Sequence, residues 1–205
     1  PPLSQQKEFR QIKNAVIQEA ETIRLGEITF EDDTLDLHQN DEVDKDKNVS
    51  WDFWTLRMDV QDEYSSLAER DDAVESMREL AENGDIHAQY FMGELYRDGP
   101  LLPPDWVMAR YWFDKAAKQG YAAAQYALGK LYLSDDASVH DPELGIQWLE
   151  YAAYNGNHDA SYRLGKEYLK GESVRRDTRK AMDHIYTSAQ AGNLHAQYLL
   201  GKLLL

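Results

Sequence analysis

GYAAAQYALGKLY, beginning at Gly120, returns as GDIHAQYFMGELY at Gly84, GNHDASYRLGKEY at Gly156 and GNLHAQYLLGKLL at Gly192, so one string recurs every 36 residues. A second string alternates with it at the same period: DWVMARYWFDKAAKQ from Asp105, DPELGIQWLEYAAYN from Asp141 and DTRKAMDHIYTSAQA from Asp177. Counting back 36 residues from Asp105 leads into RDDAVESMRELAEN, a degenerate copy that ends at Asn83. Self-similarity at a fixed period of this length decides the architecture before any local reading, because each unit is one supersecondary element that buries its apolar face only against its neighbours.

Both strings read as helices. Ala88, Met92 and Tyr96 fall four residues apart in the first, and Ala109, Trp112, Phe113, Ala116 and Ala117 make an i, i+3, i+4, i+7, i+8 stripe in the second. Asp105, Asp141 and Asp177 stand where a side-chain N-cap is needed, and Pro142 takes the first-turn site that tolerates proline. Gly84, Gly120, Gly156 and Gly192 follow each second helix, at the left-handed stop that glycine reaches without strain. Gly93, Gly129, Gly165 and Gly201 are different: they lie inside the first helices, where glycine costs ~1 kcal/mol against alanine. Repetition of that cost at one phase implies helices too close for a β-carbon.

The combination A-x-Y-x-L-G-x-x-Y, followed by D-x-x-K-A and a closing A-x-x-G, resembles the Sel1-like repeat, a relative of the tetratricopeptide repeat. The clearest copy runs from Ala160 to Gly192 and contains Leu164, Gly165, Tyr168, Gly171, Val174, Asp177, Lys180 and Ala181. The resemblance covers about residues 70–205. Its consequence is an all-α fold, a right-handed α-α superhelix of helix pairs in which neighbouring repeats supply one another's core. Two loops depart from the pattern: RDGPLLPPD carries three prolines, and LSDDASVHD lacks the loop glycine, so both turns are expected to be rebuilt locally. The last first-type helix, Leu194–Leu205, has no second helix after it, and the chain opens on Pro1-Pro2 without Met, so it reads as an excised piece of something longer.

Upstream of the repeats, residues 1–26 read as an amphipathic helix with Phe9, Ile12, Val16, Ala20 and Ile23 on one stripe, and 27–49 as an acidic linker. Residues 50–70 read as a capping helix from Ser50 through Leu67, and 71–205 as the repeats. The Leu3–Asp33 stretch also resembles the tail of certain mobilisation relaxases of conjugative elements, where Sel1-like repeats follow the DNA-nicking domain. That resemblance implies an accessory region of a bacterial relaxase whose catalytic domain is absent here.

The 205 residues carry 22 Lys+Arg against 37 Asp+Glu, a net charge of −15, and residues 27–72 hold 16 acids and 4 bases of that total. The acidity therefore belongs to a segment and not to the repeats. No cysteine is present, which removes disulfides, thiolate zinc and a cysteine nucleophile while leaving the compartment open; the expectation is cytoplasmic. No apolar run approaches the ~20 residues of a membrane span.

Asp44, Asp46, Asn48, Ser50 and Asp52 match alternate positions of a calcium loop, but Val49 and Thr55 stand where that loop needs glycine and a bidentate glutamate. The histidines at 38, 87, 140, 158, 184 and 195 show no i, i+3 or i+4 pair, and His184 reads as an aromatic substitute for Trp148 of the preceding repeat. No nucleophile elbow, phosphate loop or dinucleotide fingerprint appears. The expectation is a non-enzymatic scaffold without cofactor. Arg175, Arg176, Arg179 and Lys180 form a basic loop, but without interleaved aromatics, and nucleic acid is not the expected partner.

The first helices would line the concave wall of such a stack. Opposite the Ala88/Met92/Tyr96 stripe lie His87, Tyr90, Phe91 and Glu94, which the period carries into Tyr126, Tyr162 and Tyr198, into Lys130, Lys166 and Lys202, and into Arg163. A tyrosine row beside a lysine row suits an acidic peptide of a protein partner, with the chain's own segment 31–46 as a tethered competitor.

Overall fold

A computed structural model of the chain describes residues 51–204, apart from 63 and 100. The expected helix over 4–25, the acidic linker 27–49, the calcium-like run before Trp51, the tethered segment 31–46 and the relaxase-like stretch lie outside the described residues. Among the described residues every regular element is helical and none is a strand. The chain divides into two compact units between Ala116 and Ala117.

The described part of the N-terminal unit contains α1 (Trp51–Gln61), α2 (Leu67–Glu82), α3 (Ile86–Asp98) and most of α4 (Trp106–Lys118). The capping helix expected to run through Leu67 stops instead at Gln61. Asp62 turns the chain there by accepting from Tyr64 N at 3.0 Å and Ser65 Oγ at 2.8 Å. Ser66 then opens α2 with a capping box, its Oγ accepting from Glu69 N while Glu69 Oε2 accepts from Ser66 N. A box needs only Ser-x-x-Glu, and Ser66-Leu67-Ala68-Glu69 supplies it. Shifted by one period, α3 would cover 50–62, so α1 sits in the first-helix phase and α1–α2 form a degenerate helix pair of their own. Phe53 and Val60 of α1, Val74 and Met77 of α2, Phe91, Met92 and Leu95 of α3 and Trp112 of α4 make the core of this unit.

The C-terminal unit contains α5 (Ala122–Tyr132), α6 (Pro142–Tyr154), α7 (His158–Lys170), α8 (Thr178–Gln190) and α9 (Leu194–Leu203), each packed on the next. Second helices end in one motif: Gly156 N donates to Ala153 O and Asn157 N to Ala152 O, and Gly192 with Asn193 repeats the pair on Ala189 and Ser188. Gly156 and Gly192 have φ of 89° and 97°, and Gly84 ends α2 in the N-terminal unit the same way at 103°.

The loops inside the helix pairs are closed by one bond despite their different sequences. Asp105 N donates to Tyr96 O, Asp141 N to Tyr132 O and Asp177 N to Tyr168 O, at 2.8, 2.9 and 3.1 Å. The rebuilding expected of the loop without glycine occurs within that frame. There α5 ends on Leu133 in a right-handed conformation, where α3 and α7 end on left-handed Gly99 and Gly171. Val139 is buried beneath the loop, and His140 Nδ1 lies 2.6 Å from Ser134 O. The aspartates then cap the helices that follow: Met108 N, Leu144 N and Lys180 N donate to Asp105, Asp141 and Asp177.

The internal glycines do what their spacing implies, with one exception. A Cβ on Gly129 would lie 2.8 Å from Leu149, one on Gly165 would collide with Ile185, and in the N-terminal unit one on Gly93 would lie 2.5 Å from Phe113. A Cβ on Gly201 would meet nothing within 4 Å.

Candidate functional site

In the C-terminal unit the tyrosine and lysine rows resolve into pairs on single helices. Lys130 Nζ lies 5.0 Å from the Tyr126 ring centre, Lys166 5.3 Å from Tyr162 and Lys202 4.6 Å from Tyr198. Residues i and i+4 share a helix face, so the lysine stem crosses the ring and sets its ammonium over the π cloud, an attraction of ~0.5–1 kcal/mol at an exposed site. The first helices α5, α7 and α9 carry five basic residues, Lys130, Arg163, Lys166, Lys170 and Lys202, against two acids, Asp159 and Glu167. Both acids are engaged. Asp159 accepts from Asn193 Nδ2, and Glu167 Oε1 lies 2.9 Å from Arg163 Nε. These three helices are therefore net positive inside an acidic protein.

Exposure differs along it. Lys166 is 4% exposed, and the Tyr162 ring has the stacked imidazole of His195 5.9 Å away, so this pair is largely built into the wall. Tyr126 and Lys130 are half-buried, while Tyr198 and Lys202 are exposed. Arg163 is half-buried with its guanidinium committed to Glu167.

In the N-terminal unit the equivalent positions are occupied differently. His87 is 8% and Phe91 4% exposed, and the Phe53 ring of α1 lies 5.6 and 6.3 Å from theirs. Both were expected to line an accessible groove, and both are core. Helical phase put them on the right face but could not say that α1 would cover that face. Arg57 of α1 adds its guanidinium over Phe91 at 5.5 Å and Trp54 at 5.7 Å. Tyr90 is half-buried with its ring 5.6 Å from Phe113. Glu94, at the lysine phase, lies 3.9 Å from Arg97, which also bonds Asp98.

A third row escaped the sequence reading although its signal was present. Gln89 Nε2 donates to Ala81 O at 2.9 Å, and in the C-terminal unit Gln125 donates to Ala117 O at 3.1 Å and Gln197 to Ala189 O at 3.0 Å. Each glutamine reaches back eight residues to a carbonyl in the last turn of the preceding helix that also accepts from the stop glycine's N–H, so the amide adds a second bond to that oxygen. Asp85, Asn157 and Asn193, the residues after the stop glycines, were likewise not anticipated as caps, and each accepts from the N–H three residues on.

Between α7 and the second helices on either side of it, Tyr168 OH donates to Glu150 Oε1 at 3.0 Å, and its ring stacks parallel to His184 with Lys180 Nζ 5.1 Å above. Burial holds the Tyr168 phenol above its ordinary pKa, with the Glu150 carboxylate acting the same way. Asp135 and Asp136 lie in a loop, where the Ser138 hydroxyl keeps the Asp136 carboxyl below its usual value. Arg175, Arg176 and Arg179 are exposed. Among the described residues no three His, Asp or Glu side chains converge as a metal set, and no helix is long and apolar enough to cross a membrane.

The family profile described as Sel1 repeat matches residues 86–121, 122–157 and 158–193, more than half of the chain. Among solved structures the chain is similar to a protective antigen of uropathogenic Escherichia coli strains displaying an SLR fold, with a TM-score of 0.67 and 28% identity over 74% of this chain and 32% of that one. It is also similar to a Sel1 repeat protein from Oxalobacter formigenes, with a TM-score of 0.66 and 28% identity over 74% and 62% of the two chains. The chain thus spans about a third of the first and less than two thirds of the second. No curated protein matches it. Period, helix pairing, glycine contacts and these likenesses agree on an all-α solenoid of helix pairs, and the chain belongs to the Sel1 repeat family.

Proposed function

We propose that the chain is a non-enzymatic interaction scaffold whose first-helix face in the C-terminal unit takes a carboxylate-rich segment of a partner protein. Sel1 repeat proteins are commonly scaffolds for protein interaction. The observation that carries the finer reading is the Lys-over-Tyr pair repeated in phase on α5, α7 and α9. Each pair holds an ammonium in place before a ligand arrives, so less side-chain entropy is lost when a carboxylate docks. The excess of bases over acids on these three helices selects the sign of the partner. Lys130 and Lys202 are the residues on which affinity should depend, because Lys202 is exposed and Lys130 half-buried, whereas Lys166 is buried.

The test is fluorescence anisotropy with a labelled glutamate-rich peptide against the chain and against a Lys130→Glu/Lys202→Glu variant. The expected result is at least a tenfold loss in the variant and a progressive loss with added salt in the parent. Equal affinity of parent and variant at low salt would exclude this face.

A further inference from the structure

The two loops that open α6 and α8 carry opposite charge. Residues 135–144 contain Asp135, Asp136, Asp141 and Glu143 and no lysine or arginine, whereas residues 171–180, one period later, contain Arg175, Arg176, Arg179 and Lys180 against Glu172 and Asp177. Both loops lie on one edge of the C-terminal unit, because α6 runs back between α5 and α7 and each loop follows one of those two first helices. Tyr168, near the end of α7, bridges the two sides: it touches Glu150 of α6 and both Lys180 and His184 of α8.

The opposite charges do not neutralise each other within the chain. Among the described residues no ion pair joins the two loops. Asp135, Glu143, Arg175, Arg176 and Arg179 are all exposed. Each loop is nevertheless fixed from within. Val139 is buried beneath the first, and the second folds Arg176 so closely onto Gly171, at φ 74°, that a Cβ on the glycine would lie 2.8 Å from the arginine's own. The charges stand on ordered turns, so little entropy is left to lose when they are met.

Beside the acidic loop α6 exposes apolar surface. Leu144, Trp148 and Tyr151 fall at i, i+4 and i+7; Leu144 and Tyr151 are 37% and 57% exposed, Trp148 is half-buried, and its ring lies 5.6 Å from that of Tyr151. The same positions of α8 are Lys180, His184 and Thr187, so the apolar stripe is confined to α6. An aromatic centre with a charged rim is the composition of a protein interface, and isolated surface ion pairs would hold little without that centre.

We infer that this edge is a self-recognition surface, on which a second copy of the chain docks about a two-fold axis that sets the acidic loop of each copy against the basic loop of the other. A two-fold contact must be complementary to itself. A negative loop beside a positive one meets that condition, since both pairings form at once, whereas a partner of one sign would match one loop and be repelled by the other. The arrangement lays the α6 stripe against α8 of the other copy, with Glu143 opposite the partner's Arg179, one period on. This surface is separate from the Lys-over-Tyr face and stands or falls independently of the function proposed above.

Sedimentation equilibrium of the full chain in about 0.1 M salt, where repulsion between the acidic segments is screened beyond ~10 Å, should show a dimer with a dissociation constant below about 100 µM. Two variants, confined to exposed positions, each give both loops one sign: Arg175→Glu/Arg179→Glu makes both negative, and Asp135→Lys/Ala137→Lys/Glu143→Lys makes both positive. Each alone should self-associate about tenfold more weakly or worse, and an equimolar mixture of the two should form the 1:1 dimer again. A parent that stays monomeric at about 0.2 mM overturns the proposal. So does a dimer that neither variant weakens, or a mixture no more associated than its components. A dimer lost in the arginine variant but intact in the lysine variant overturns the pairing of the two loops, because the acidic side would then come from elsewhere in the chain, with 27–49 the other acidic stretch.

Discussion

The two units apply the same repeat to opposite ends. In the C-terminal unit the first helices keep their own cations on their own aromatic rings and carry five bases against two acids. In the N-terminal unit α3 carries one base, Arg97, against Glu94 and Asp98, and α1 covers its face with the Phe53 ring and Arg57. The difference teaches that a repeat's face is not defined by its own residues alone. The helix α1 makes core of His87 and Phe91, whereas Tyr90 and Glu94, at the Tyr-x-x-x-Lys positions, stay half-buried as Tyr126 and Lys130 do in the C-terminal unit.

The largest effect should come from removing the cover. Phe53 is 3% exposed and touches both His87 and Phe91, so Phe53→Ala should cost ~3–5 kcal/mol, as other buried Phe-to-Ala changes do. Urea denaturation followed by circular dichroism should then show the N-terminal unit melting first, with faster amide exchange at His87 and Phe91. A single unshifted transition would mean that Phe53 is not what separates the two faces.

The glycine contacts test what the units share. Gly165→Ala places a methyl group against Ile185 and 3.1 Å from the Ala181 carbonyl, and Gly93→Ala places one 2.5 Å from the Phe113 ring. Overpacking of this kind costs ~1–3 kcal/mol, of which helix propensity returns up to ~1 kcal/mol. A net loss is expected in both units by thermal or chemical denaturation. A gain at either position would show that its helix pair is looser than the distances say.

Much of this was legible in the sequence because it is local or periodic. The stop glycines, the aspartate caps at 105, 141 and 177, and the reason for glycine inside a first helix all follow from backbone chemistry repeated at a fixed interval. What escaped was what is non-local. His87 and Phe91 lie where helical phase puts them, but their burial is decided by Phe53, more than thirty residues earlier. The end of α1 escaped because an apolar pattern continues past Gln61 to Leu67, and only the Ser66–Glu69 box overrides it. The glutamine row was visible as Gln89, Gln125 and Gln197, yet nothing local says that their amides reach a carbonyl eight residues back; Ser161, at the same phase of the third copy, is too short for that reach.

The smallest predicted effect distinguishes the units through one aromatic position. Trp112 in the N-terminal unit and Trp148 and His184 in the C-terminal unit are 36 residues apart in turn, and of the three only His184 titrates near neutrality. Its ring is stacked parallel on Tyr168 at 5.9 Å, and burial, helped by the Lys180 ammonium over the same tyrosine, holds its pKa below the ordinary imidazole value against the pull of Glu150 and Asp183. Between that depressed folded value and the ordinary value of ~6.5, the unfolded chain binds more protons than the folded one. The contribution to stability is therefore complete above that ordinary value and is lost as the pH falls through it towards the folded value. His184→Trp restores the residue of the other two repeats and removes the titration, while leaving every carboxylate to respond as before. The drop in urea midpoint between pH 8 and pH 5.5 should accordingly be smaller in the variant than in the parent. Identical drops would mean that the imidazole is as well solvated in the folded chain as in the unfolded one, and that the stack on Tyr168 does not shield it.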